Sequence, residues 1–361
     1  MKLLPRQRPR GIALIIVMVV ILALTVLAGG FAYSMKVELK LAANHNASAG
    51  LEWLGRSGVE FARYVLMSQM LNTTEPYDAL HQRWAGGPGS LVPDAFEEEY
   101  SLENNRLGDG VFSVRIVDLE RRMNINLADP AVLQQALKLL GADASLTPII
   151  TDSLNDWRDR DDNPHLSGAE SDYYLSLRPA YHCKNGPLDD LTELLLVRGI
   201  TPAMYWGPRY AGYNTQGRYS LSPSQRAQQE EPLYPIGLAD LFNTLSTRFI
   251  NINTASAEVL QLIPGVDENA ARAVLVARAG PDGVDGTLDD VPFRSAGELV
   301  NVPGLSRQLV QAYLQRGLVS VRSATFEVTV DAELYGVRKQ FVGVLRRNGP
   351  RDIQILRFYW D

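Results

Sequence analysis

Two acidic segments carry the residue types with which this chain could do chemistry. The first runs Asp156-Trp157-Arg158-Asp159-Arg160-Asp161-Asp162-Asn163 and continues, five residues on, as Gly168-Ala169-Glu170-Ser171-Asp172. Its six carboxylates, Asp156, Asp159, Asp161, Asp162, Glu170 and Asp172, fall within seventeen residues. So many like charges repel unless a cation or arginines intervene. Calcium takes about 6–8 oxygen ligands, and carboxylates on a loop containing Gly and Asn supply them, although the spacing is not that of an EF-hand. The alternative is a solvated acidic loop with helix N-caps, the usual fate of a charge run; the density of acids favours the metal. The second segment, Asp282-Gly283-Val284-Asp285-Gly286-Thr287-Leu288-Asp289-Asp290, offers Asp282, Asp285, Asp289 and Asp290 for a second ion. Asp-Gly pairs also form ordinary turns, so the two readings stand level there.

Other chemistries find no support. His182-Cys183 lacks a second pair at zinc-ligand spacing. There is no Gly-x-Ser-x-Gly, His-Glu-x-x-His or phosphate-binding loop, and four histidines are scattered along the chain. The expectation is that the protein is not an enzyme. Its single cysteine excludes an internal disulfide, and a net charge of −6 argues against a broad nucleic-acid surface.

The acidic segments sit in about two hundred residues of helical pattern that is internally duplicated. Asn124-Ile125-Asn126-Leu127-Ala128 recurs as Asn251-Ile252-Asn253-Thr254-Ala255, and Glu193-Leu194 with Gly199 recurs as Glu298-Leu299 with Gly304. The order of parts agrees in both halves. In the second half, Leu260 to Val266 followed by Ala270 and Val274 resembles a helix-hairpin-helix, with Pro264-Gly265 at the turn and Asp267 as cap. Hairpins that bind the DNA backbone need basic surroundings. Here Asp267 and Glu268 follow the turn, so packing is the expected role.

This helical region interrupts an alternating pattern. Phe112, Val114 and Ile116 predict a half-buried strand, residues 86 to 109 before it read as loop, and Phe326 to Leu334 predicts a second strand. Gly336 and Asn348-Gly349-Pro350 then divide the rest into an antiparallel meander. At the other end, Met1 to Arg10 is basic, and Gly11 to Met35 is free of charge. That run exceeds the roughly 20 residues a membrane-crossing helix needs. Leu51, Leu54, Gly58, Phe61, Ala62 and Val65 then continue it as an amphipathic helix. The basic flank predicts that the body lies outside the cytoplasm.

Gly11 before Ile12-Ala13-Leu14-Ile15-Ile16 resembles the cleavage site of type IV pilin-like precursors, which implies Gly11 as the last leader residue and Ile12 as the mature N-terminus. Most such proteins carry glutamate at the fifth mature position, where this chain has Ile16. Together with the Asp-Trp-x-Asp-x-Asp and Gly-Ala-Glu-x-x-Tyr words and the aromatic C-terminal strand, the whole chain resembles the K-type minor pseudopilins of bacterial type II secretion systems. The resemblance implies an α+β fold, with a long N-terminal helix on a small antiparallel sheet and a large inserted α-helical domain of helix-hairpin-helix (SAM-like) type. The implied organisation is a leader (1–11), a transmembrane segment (12–35), a periplasmic helix (36–70) and the first part of the pilin-like domain (71–122). An inserted domain (123–315) follows, with halves 123–210 and 250–315 and linker 211–249, then a C-terminal meander (316–361). It further implies a subunit of the bacterial inner membrane at the tip of a periplasmic pseudopilus. That subunit would be cut by prepilin peptidase, would assemble with I- and J-type minor pseudopilins, and would hold calcium at the first acidic loop. The competing expectation is a membrane-tethered DNA-binding protein of the competence type.

Overall fold

The computed structural model describes residues 12–91, 100–210 and 233–360. Its first element, α1 (Ile12–Leu71), is sixty residues long, and its N-terminal part is long and apolar enough to cross a membrane. Beyond that part, Leu51, Leu54, Ala62 and Val65 turn into a core, while the Glu52–Arg56 and Glu60–Arg63 pairs lie on the exposed side. Leader residues 1–11, including Gly11, lie outside the described residues.

The chain then forms β1 (Asn105–Leu107) and β2 (Gly110–Asp118), an antiparallel pair. The sequence reads residues 86 to 109 as loop, yet 105–107 pair as an edge strand because the turn at Gly108-Asp109 folds them back on Gly110–Phe112. After β2 the chain leaves the sheet for the inserted helical region. This holds β3 (Met123–Asn124), α2 (Pro130–Leu140), α3 (Leu146–Arg158), α4 (Ser171–Leu175) and α5 (Pro202–Trp206). It continues with α6 (Leu238–Leu241), β4 (Phe242–Asn243), β5 (Ile250–Asn251), α7 (Ala257–Leu260), α8 (Glu268–Arg278), α9 (Arg307–Arg316) and β6 (Val319–Ser320). The sheet resumes with β7 (Thr325–Leu334), β8 (Val337–Gly349) and β9 (Asp352–Trp360). Strand order is β1-β2-β7-β8-β9, antiparallel throughout. Tyr335 and Gly336 both take positive φ, which the two-residue hairpin between β7 and β8 requires.

Period-two burial explains the sheet. Phe326, Val328, Val330, Ala332 and Leu334 all point to the face that α1 covers. Glycines set the close approach. Leu334 lies against Gly50, Phe341 against Gly55 and Val330 against Gly58. That order places the start of β7, and with it the inserted region, at the end of the body away from the apolar part of α1.

The inserted region has its own core. Residues 234–242, which the sequence reading assigns to the linker 211–249, belong to that core. Tyr234, Leu238, Leu241 and Phe242 are buried, and β4 pairs in parallel with β3. The run Leu238-Ala239-Asp240-Leu241-Phe242 is an apolar signal that the neighbouring Gln, Ser and Pro obscure. Residues 211–232 lie outside the described residues.

Candidate functional site

The first acidic loop springs from the last turn of α3. Asp156, fully buried, touches the His165 ring through Oδ1 and accepts the His165 backbone N–H at 3.1 Å. A β-carbon on Gly168 would collide with Asp156 Oδ2, so only glycine lets the loop close over that carboxylate. Asp159 ends α3, and Glu170 stands at the N-terminus of α4. Ligand atoms of Asp156, Asp159 and His165 lie within 4.8 Å of one another, as do those of Asp159, Asp161 and Glu170. That spread is about twice a calcium–oxygen bond.

Glu170 carries the plainest sign of an unmet need. It is 4% exposed, and neither carboxylate oxygen has a partner beyond the weakly donating Cys183 thiol. Burial, with Asp156, Asp159 and Asp162 nearby, pushes its pKa up to about 7. Burial likewise raises Asp159, while backbone and side-chain donation from Asn163 lowers Asp161. A buried carboxylate without donors needs a proton or a cation. The donor set is mostly hard oxygen and fits calcium better than zinc.

Four of the six sequence-predicted acids therefore fall into two overlapping trios that share Asp159: Asp156 and Asp159 with His165, and Asp159, Asp161 and Glu170. Asp162 instead accepts from Asn185 and Ser171, and Asp172 lies exposed in the first turn of α4. His165 joins the cluster without having been anticipated; its position nine residues after Asp156 in the same loop was the available signal.

The second loop uses its acids differently. Asp285 takes a two-point ion pair from Arg278, at 2.6 and 3.0 Å. Asp289 accepts from Asp282 N and Thr287 Oγ1, Asp290 from Gly286 N and Thr287 N, and Asp282 from Val284 N. Among the described residues, no three acidic or histidine ligand atoms gather there.

The duplicated words share one device. Asn126 bonds both ways with the backbone of Leu188, at 2.8 and 2.9 Å, and Asn253 does the same with Phe293, at 2.9 Å each. Arg158 and Arg278, each ending a helix, donate to the carbonyls of Ile125 and Ile252. Leu260, Ile263, Val266, Ala270 and Val274 are all buried, Asp267 caps α8, and Glu268 is paired to Arg272.

Where the inserted region meets the sheet, a buried polar joint forms. Asp78 pairs with Arg347. Asp118 accepts from Glu120 N, Thr254 and Asn251, and Glu120 accepts from Thr247, Ala324 and Thr325. Burial, then the Glu120 charge, raises the Asp118 pKa to about 7.

A long apolar-to-amphipathic helix laid on an antiparallel meander, with a helical domain inserted beyond it, defines a pilin-like subunit with a candidate membrane anchor. Comparison with known proteins specifies it further. Residues 112–207 and 250–320 match family models described as type II secretion system protein K. The chain is 27% identical to type II secretion system protein K of Pseudomonas aeruginosa, over 97% of this chain and 92% of that protein. It is 23% identical to the Aeromonas hydrophila protein K, over 97% of each. The fold matches a chain in the crystal structure of the GspK-GspI-GspJ complex from enterotoxigenic Escherichia coli, with a TM-score of 0.62 at 19% identity. That match covers 89% of this chain and 99% of the other. The chain is thus similar, in sequence over nearly its whole length and in fold, to the type II secretion system protein K family.

Proposed function

We propose that this subunit sits at the tip of the pseudopilus and initiates its assembly as a structural subunit, together with I- and J-type minor pseudopilins. One observation supports the reading: the inserted domain follows from the end of the sheet away from the anchor, where it would obstruct a further subunit stacking above. Ile16 agrees with it. A carboxylate in lipid costs several kcal/mol unless paired, and a subunit with none above it has no partner to offer. The basic segment before α1 supports an inner-membrane anchor with the body in the periplasm. Gly11-Ile12 is the bond for prepilin peptidase. We read α7 and α8 as a helix-hairpin-helix that packs rather than binds DNA.

Calcium belongs, on this reading, to the first acidic loop, held by Asp156, Asp159, Asp161 and Glu170. Bound there it would neutralise converging carboxylates and fix the loop between α3 and α4. In the second loop the Arg278–Asp285 pair brings a cation of the chain itself among the acids.

An epitope at the C-terminus, decorated with gold on sheared pseudopili, tests the placement. Label at one end is expected, and label along the length would overturn it. Metal analysis with melting in calcium and in chelator tests the loop. Retained calcium and a melt that drops on chelation are expected, whereas Glu170→Gln should lose both. An ion retained unchanged by Glu170→Gln would remove the assignment.

A further inference from the structure

The sheet is wider than the helix that covers it. α1 packs on β2, β7 and β8. On the β1 flank the chain covers itself, with Tyr100 and Leu102 against the core and Tyr100 edge-on to Phe61 at 6.1 Å. Among the described residues, the β9 flank has no such cover. Register places Trp360 opposite Phe341, Phe358 opposite Gly343 and Ile355 opposite Leu345, so these three share the face on which α1 lies. Phe358 stacks on Phe341 at 5.7 Å, and Arg56 of α1 stands 5.2 Å from the Phe358 ring. Ile355 is 43% exposed and Trp360 57%. Lys339 lies 4.4 Å from the Trp360 ring.

The spacing says what fits. Strands lie about 4.8 Å apart and packed helices about 8–10 Å apart. A helix laid beside α1, which is centred near β7, therefore falls two strands away, over β9. The strip from Ile355 to Trp360 offers an apolar seat, and Lys339 offers a cation at its rim. We infer that the β9 flank seats a long amphipathic helix of a partner subunit, alongside α1, with an apolar stripe on Ile355, Phe358 and Trp360 and an acidic side chain at Lys339. This rests on the reading that the chain assembles with other minor pseudopilins.

The test uses the full chain in membranes with its I- and J-type partners. With benzoylphenylalanine replacing Trp360, photo-cross-links should map to the N-terminal helix of one partner. Cross-links only to a strand, only to a second copy, or absent from a complex that still forms would overturn the inference. Ile355→Lys with Trp360→Glu should cut recovered complex at least tenfold, while Leu107→Lys on the β1 flank leaves it unchanged. Equal recovery of both variants would also overturn it. If the unaltered chain recovers neither partner, the assembly reading falls instead.

Discussion

Replacing Asp118 by Asn should remove a pH dependence that the wild-type joint imposes on stability. Asp118 is 2% exposed, and burial with the neighbouring Glu120 charge holds its pKa at about 7 against an ordinary 3.8. The folded chain therefore keeps a proton that the unfolded chain releases. Between about pH 4 and pH 7 the folded state binds more protons, so its stability falls as pH rises. Each tenfold change in proton activity is worth about 1.4 kcal/mol, and the interval amounts to about 4 kcal/mol, shared across the Asp118–Glu120 pair. Glu75, whose burial is outweighed by donation from Gln82, Ser90 and the Leu91 N–H so that it is held at about 2, works in the opposite sense, but its contribution is lost only as pH falls through that value. The difference between wild type and Asp118→Asn isolates the joint. Melting of the full chain in detergent, followed by tryptophan fluorescence from pH 4.5 to 7.5, should show a wild-type midpoint that falls relative to the variant. The scan covers about 2.5 pH units of that interval, about 3.5 kcal/mol, and at about 1.5–2 °C per kcal/mol for a chain of this size the divergence is roughly 5–7 °C. Parallel curves would refute the argument, because they would mean Asp118 is ionised throughout and stabilised by its three hydrogen bonds.

Gly55→Ala should destabilise the body by about 1–3 kcal/mol despite better helix propensity, because its β-carbon would stand 2.5 Å from the Phe341 ring. Gly30→Ala, where nothing lies within 4 Å, is the control and should not lower the melt. Asn253→Ala should cost about 2–4 kcal/mol, since it strips two bonds from the buried Phe293 backbone; Asn126→Ala, on the half-buried twin, should cost less in the same melts.

The elements that were legible in the sequence are those specified by periodicity. β7 alternates cleanly because α1 covers one of its faces, and α1 is readable because its lipid run and its amphipathic run each obey one rule. The edge strand at 105–107 was not readable, since three residues carry no period and take their strand character from pairing with β2. The repeated Asn-Ile-Asn words were visible, but not their use. An asparagine that clamps a backbone forty or sixty residues away looks the same, in sequence, as one that caps a turn.

The acidic loop shows where composition stops informing. Its density of carboxylates was evident, but convergence depends on which way each side chain leaves the turn. Asp161 and Asp162 are adjacent, and one faces the cluster while the other faces Asn185. The second loop, with a similar composition, brings Arg278 to Asp285, a pairing across seven positions that the run of acids does not announce. The joint lay furthest from view. Asp78 and Arg347 are separated by 269 positions, and neither has a neighbour in sequence that marks it. A buried pair of this kind costs desolvation that its mutual attraction barely offsets, yet leaving either partner alone costs about 3–5 kcal/mol. Around that pair the inserted domain's Thr247, Asn251 and Thr254 donate to Glu120, to the Asp78 carbonyl and to Asp118, so any arrangement of inserted domain and sheet that parts them leaves buried polar groups unmet.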